Sequence, residues 1–169
     1  LTGSFNHGSM ANALPMAIGA AAASPGRQVV AMCGDGGLSM LLGDLATLMQ
    51  YQYPVKIFVF NNRSLAMVKL EMEVSGYLDW QTNMVNPPFD KIADLMNIKG
   101  YEVHKTEELE ATVKAAFEHE GPTLVNIYTN RDTLAMPPHI TFDQMKGFAT
   151  NVMKKIGQGD FSEAKESIA

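Results

Sequence analysis

Apolar positions along this chain fall into short continuous runs separated by stretches of helical spacing. Val29, Val30, Ala31, Met32 and Cys33 make one run, and it leads directly into Gly34, Asp35, Gly36 and Gly37. Leu38, Leu41, Leu42, Leu45, Leu48 and Met49 then recur at i, i+3, i+4, i+7, i+10 and i+11, which predicts a helix buried along that face. Val55 to Phe60 is β-branched and aromatic, as in a strand covered on both faces, and it ends at Asn61 and Asn62. A helix of about 12 residues rises roughly 18 Å and a strand of about six returns roughly 20 Å. One crossover therefore places Asp35 and Asn62 at the carboxyl edge of neighbouring or near-neighbouring parallel strands, where open α/β sheets bind ligands.

The remaining pattern continues the alternation. Met10 to Ala23 is rich in Ala and Gly with Pro15 inside, and predicts a helix that Ser9 could cap and that Ser24, Pro25 and Gly26 end. Residues 64 to 73 have helical character. Ser75 to Pro88, with Gly76, Trp80 and the Pro87, Pro88 pair, reads as a long loop of the kind that forms lids or contact surfaces. Phe89 to Asn97 predicts a helix and Tyr101 to Val103 a strand. Glu107 to Glu118 predicts a helix with Leu109, Val113, Ala116 and Phe117 inward, and Thr123 to Tyr128 a last strand. The fold class is α/β, a doubly wound, mainly parallel sheet with helices on both faces. Beyond Pro137 and Pro138 the pattern changes, and residues 139 to 169 are expected to form a C-terminal helical tail to the single domain.

Bulk properties narrow the class of partner. The chain has 169 residues, 46% of them apolar and 18% charged, as in a globular protein with a buried sheet. A net charge of −5 and a pI near 5.3 argue against nucleic acid. No apolar stretch is long enough to span a bilayer and no signal-like segment precedes one, so a cytoplasmic location is expected. A single cysteine excludes an internal disulfide, and Cys33 reads as core filler rather than a nucleophile. His104, His119 and His139 have no metal-ligand spacing. Leu1 is not an initiator methionine, and Gly3 to Gly8 enters a motif with no element before it, so a fragment of a longer polypeptide is expected.

The chemistry follows from residue types. Glycines permit close backbone approach, and a following helix offers unpaired N–H groups, so a diphosphate suits the segment after Cys33. Magnesium would bridge it, with an anionic oxygen from Asp35, an amide oxygen from Asn62 and a main-chain carbonyl as third protein ligand. No Gly-Lys-Ser/Thr follows the glycines, so this is not a nucleoside-triphosphate loop, and nothing supports a nicotinamide site. Two ordinary turns would be the bland alternative.

Those motifs match a known family. The pair formed by Gly34 to Gly37 and Asn61, Asn62 is that of thiamine diphosphate enzymes, and with Gly3 to Met10 and Pro137 to Gly147 the chain resembles the diphosphate-binding domain of bacterial pyruvate oxidases, the quinone-reducing flavin enzymes in particular. The resemblance implies that Asp35 and Asn62 hold Mg2+ through side chains and Ser64 through its carbonyl. Gly34, Gly36 and Gly37 would meet the diphosphate, Met10 would wedge beneath the bent cofactor, and the Gly8 backbone would contact its amino group. Glu71 would face substrate and flavin, or else be a solvated helix carboxylate; His7 would touch substrate or cap a turn. The implied reaction is oxidative decarboxylation of pyruvate to acetate and carbon dioxide, with electrons passing through FAD to quinone. FAD and the activating glutamate belong to parts of the full-length homo-oligomer, a dimer or tetramer, that this chain lacks, so the domain alone is expected to bind no FAD and to be inactive. Relatives also end in a lipid-docking segment at the inner face of the cell membrane, which residues 157 to 169 do not support. Two alternatives stay open: an acetolactate synthase-like carboligase, and a non-catalytic thiamine diphosphate-binding module.

Overall fold

The computed structural model describes residues 1–131, 141–161 and 165. The Pro137, Pro138 pair, His139 and most of the tail after residue 161 lie outside them. The chain divides into two compact units, Leu1–Arg63 with Val85–Thr129, and Ser64–Met84 with Asn130–Ala169.

The first unit is built on four parallel strands, β1 (Val29–Gly34), β2 (Val55–Asn61), β3 (Lys99–Val103) and β4 (Thr123–Tyr128), in the order β1-β2-β4-β3. Alternate side chains divide between two cores. Ala31, Cys33, Ile57, Val59 and Leu124 pack against Leu14, Ala17 and Ala21 of α1 (Ala13–Ala23), Leu38 of α2 (Asp35–Met40), Leu45 and Leu48 of α3 (Leu45–Tyr51), and Phe89 and Ala93 of α5 (Phe89–Leu95). On the opposite face Phe58, Val103 and Val125 pack with Ala116 of α6 (Thr106–Glu118). Chain direction across the sheet reverses between β3 and β4, and the covering helix changes face at the same connection, as right-handed crossovers require. The expected α/β class holds.

Three local expectations are corrected. The predicted helix through residues 38 to 49 is broken: α2 ends at Met40, a 3-10 turn spans Leu42–Asp44, and α3 resumes at Leu45. Gly43 lies in the break, and glycine costs about 1 kcal/mol relative to alanine inside a helix. Leu38, Leu45 and Leu48 are buried as expected, whereas Leu41 and Met49 are exposed. The helix predicted from Met10 begins at Ala13, with Asn12 and not Ser9 as its N-cap residue. Proline has no N–H, so Pro15 fits only in the first turn, and the first helical bond is Met16 N–H to the Asn12 carbonyl at 3.1 Å. Phe117, predicted inward, lies at the margin with its ring 5.8 Å from that of Phe58. The β1 side chains of that face, Val30 and Met32, stay exposed because α6 packs on β3 and β4.

The second unit joins α4 (Ala66–Val74) to α7 (Phe142–Gly157), the part of the tail that is described. Thr141 and Gln144 form a reciprocal capping box that starts α7. A Cβ at Gly147 would overlap the Val74 carbonyl, so only glycine lets the two helices approach. Lys155 reaches Glu73 at 2.8 Å with both side chains buried, and Asn151 and Lys154 donate to the carbonyls of Tyr77 and Gly76. No helix among the described residues is long and apolar enough to cross a membrane.

Candidate functional site

Parallel register fixes the level of the two motifs. Gly34, the last residue of β1, lies opposite Phe60, so Asp35 and Asn61 follow together at the carboxyl ends of adjacent strands. Asp35 opens α2 and is 2% exposed. Its carboxylate accepts three N–H groups: Gly36 N to Oδ1 at 3.0 Å, and Arg63 N and Asn86 Nδ2 to Oδ2 at 2.8 and 2.6 Å. Buried carboxylates survive only with such partners.

One of those donors depends on an unusual backbone. Arg63 sits at φ 57°, a conformation uncommon outside glycine, and this turn delivers its N–H to Asp35. Its guanidinium lies 5.1 Å from the Tyr128 ring centroid, and that ring stacks on His104. Asn61 is buried and Asn62 half-buried at the end of β2.

The glycines play two parts. Gly36 and Gly37 are buried in the first turn of α2 while Gly34 is exposed. A Cβ at Gly37 would overlap the Met10 carbonyl, so its lack of a side chain serves the packing of the Gly8 to Met10 segment against this turn, a reason the sequence did not disclose. That segment is shaped by Gly8 at φ 60° and by Ser4, which accepts the N–H of Gly8 on its carbonyl and that of Ser9 on its hydroxyl. Met10 is 42% exposed and so is not ordinary core. His7 is exposed.

Two expected site residues belong to the second unit. Ser64 is buried and bridges to Asn83, and Glu71 is exposed on α4, lining an open polar groove with Tyr77, Lys146 and Lys154. Cys33 behaves as core: burial first, and the nearby Asp35 charge second, push its thiol pKa up to about 12. A thiol so held is no nucleophile.

The donor set fits magnesium. Among the described residues no three His, Cys, Asp or Glu side chains gather as a metal cluster. The buried Asp35 carboxylate at the end of β1 is instead a single hard, anionic donor, suited to a cation that takes other ligands from phosphate and water.

Asn86 was missed by sequence reasoning, and Asn61 was read only as part of the motif that ends β2, without its buried amide contacts. Asn61 had a readable signal, because it continues the inward alternation of Val55, Ile57 and Val59 and is therefore a polar residue placed on a core face.

Comparison with known proteins agrees with this geometry. The family model described as thiamine pyrophosphate enzyme, C-terminal TPP binding domain, matches residues 1–127. The chain is similar to YdaP of Bacillus subtilis (strain 168), named as a thiamine pyrophosphate-containing protein, with 36% identity over 141 residues, 83% of this chain and 24% of that protein. It is also similar to the mitochondrial acetolactate synthase catalytic subunit of Saccharomyces cerevisiae, 34% identical over 131 residues (77% of this chain, 19% of that one). The acetolactate synthase large subunit of Porphyra purpurea is 31% identical over 148 residues (84% and 25%). The chain thus spans about a quarter or less of the length of these relatives.

Proposed function

The chain belongs to the thiamine pyrophosphate enzymes, as their C-terminal TPP binding domain, and on that premise we propose that it carries the magnesium and diphosphate half of the cofactor site in a flavin-dependent pyruvate oxidase. The observation that supports this most is the buried Asp35 carboxylate at the end of β1. Among the described residues three N–H donors hold it, and they leave one lone-pair direction on Oδ1 for a cation.

Asp35 and Asn62 would hold Mg2+ by side-chain oxygens and Ser64 by its carbonyl. The backbone of Gly34, Gly36 and Gly37 would meet the diphosphate, the exposed Met10 would support the cofactor from below, and Gly8 would contact its amino group. Bound thiamine diphosphate supplies a carbanion that adds to a ketone and a sink for the electrons released with carbon dioxide. Glu71 is assigned to the substrate side. FAD, the activating glutamate and the subunit contacts would come from the rest of the parent enzyme, with quinone as electron acceptor.

The second reading is a carboligase, and the similarity to two acetolactate synthases favours it. Anaerobic addition of pyruvate to the parent enzyme separates the two. The oxidase bleaches its flavin and yields acetate; the carboligase condenses two molecules of pyruvate without net flavin reduction. Neither outcome, together with an absence of magnesium-dependent cofactor binding to this chain, would leave the proposal without support.

A further inference from the structure

A polar chain runs inward from Asp35 through the end of β2 to the interior of β4. Asn86 Nδ2 donates to Asp35 Oδ2 at 2.6 Å and to Asn61 Oδ1 at 2.9 Å, and Asn61 Nδ2 donates to Asn126 Oδ1 at 3.0 Å. Asn126 Nδ2 then faces Asp90 Oδ1 at a long 3.5 Å. Carboxylates only accept, so the two aspartates at the ends fix which way every amide between them points. Both protons of the Asn86 amide are committed. Pro87 and Pro88 follow it directly, and their rings restrict the backbone that presents it.

This arrangement treats the two oxygens of Asp35 differently. A carboxylate oxygen has two in-plane lone-pair directions, and those of Oδ2 are taken by Arg63 N–H and Asn86. Among the described residues Oδ1 receives only Gly36 N–H. A cation can therefore meet Asp35 through one oxygen and not through both. Single-oxygen binding suits Mg2+, which demands near-ideal octahedral geometry; Ca2+ readily takes a carboxylate through both oxygens.

Resting on the cofactor-site reading above, we infer that Asn86 is a positioning and specificity residue: by occupying Asp35 Oδ2 it enforces one-oxygen binding at Oδ1 and biases the site toward Mg2+ over Ca2+. Asn86 does not touch the cation. It acts through Asp35, and Arg63 N–H alone would leave one direction of Oδ2 open.

The test uses the 169-residue chain and thiamine diphosphate as probe, titrated calorimetrically with either Mg2+ or Ca2+. Asn86→Leu keeps the approximate size and removes the donor. Magnesium-dependent affinity should fall about tenfold, as for loss of one charge-assisted hydrogen bond, while calcium-dependent affinity changes less than about threefold. Asn86→Ser, which retains a donor, should restore part of the magnesium preference. In the wild-type chain the Asn86 side-chain amide protons, assigned through their bonded carbons to the Asn86 backbone, should shift on saturation with the magnesium complex; this arm holds even if a variant folds poorly. Equal losses for both cations, no loss for either, or an unmoved Asn86 signal at saturation would overturn the inference. A wild-type chain with no cation-dependent binding would instead overturn the cofactor-site reading on which it rests.

Discussion

Replacing Asp35 should separate its structural work from its proposed chemical work. In Asp35→Ala the N–H groups of Gly36, Arg63 and Asn86 lose their acceptor at a position 2% exposed. Hydrogen bonds to charged groups contribute about 1.5–3 kcal/mol each, and a buried donor left without a partner costs about 1–3 kcal/mol. Water entering the vacated space restores part of this, so the net loss should be about 3–5 kcal/mol out of a typical total of about 5–15 kcal/mol. Asp35→Asn is gentler. Its amide oxygen can keep the Arg63 and Asn86 bonds, leaving the new NH2 against Gly36 N–H, one mismatch worth about 1–2 kcal/mol. Both variants lose the oxygen that would face the cation, so magnesium-dependent affinity for thiamine diphosphate should fall more than about tenfold in each. Urea unfolding followed by circular dichroism, paired with calorimetry, reads the two effects independently. An alanine variant within about 1 kcal/mol of wild type would refute the clamp, and an asparagine variant with undiminished magnesium-dependent binding would remove Asp35 from the metal.

Three further outcomes follow from other contacts. Cys33 keeps its proton in the fold up to about 12 while the unfolded thiol ionises from 9.0, so the unfolded state binds fewer protons in that window and stability falls as pH rises. Between pH 8 and 10 wild type should lose about 1.4 kcal/mol that Cys33→Ala does not lose, as urea unfolding across that range will measure. Gly37→Ala should destabilise the first unit by about 1–3 kcal/mol and weaken cofactor binding, since its Cβ meets the Met10 carbonyl, whereas Gly19→Ala, with open space around it in α1, should be neutral or stabilising by up to about 1 kcal/mol in the same thermal melts. In the second unit Lys155→Met should cost about 3–5 kcal/mol by stranding the buried Glu73 carboxylate, and adding Glu73→Leu should recover most of it in urea unfolding.

What the sequence disclosed, and what it withheld, divides along the range of the interactions. The strands were legible because their apolar runs are local: β4 spans Thr123–Tyr128 as expected, and the level of Asp35 with the end of β2 followed from crossover length alone. The break between α2 and α3 was not, because Leu41 and Met49 continue an apolar spacing that says nothing about whether the backbone stays helical through Gly43. Gly37 also packs against Met10, distant in sequence, and no pattern around Gly37 carries that contact.

The Asp35 clamp shows the same limit at the centre of the site. Asp35 was found because a carboxylate between glycines at a strand end is conspicuous, and residue type is a local property. Asn86 lies in a loop beside two prolines, where asparagine needs no special explanation. Its function exists only once β1 and β2 are paired, Arg63 has turned to φ 57°, and the loop returns its amide to the one oxygen that must be filled. The sequence can name a ligand for a cation, but which of that ligand's oxygens is available is decided by donors that converge through the fold. Exchanging Asn86 while leaving Gly34 to Gly37 and Asn61, Asn62 untouched should therefore alter cation choice in a chain whose recognisable motifs are unchanged.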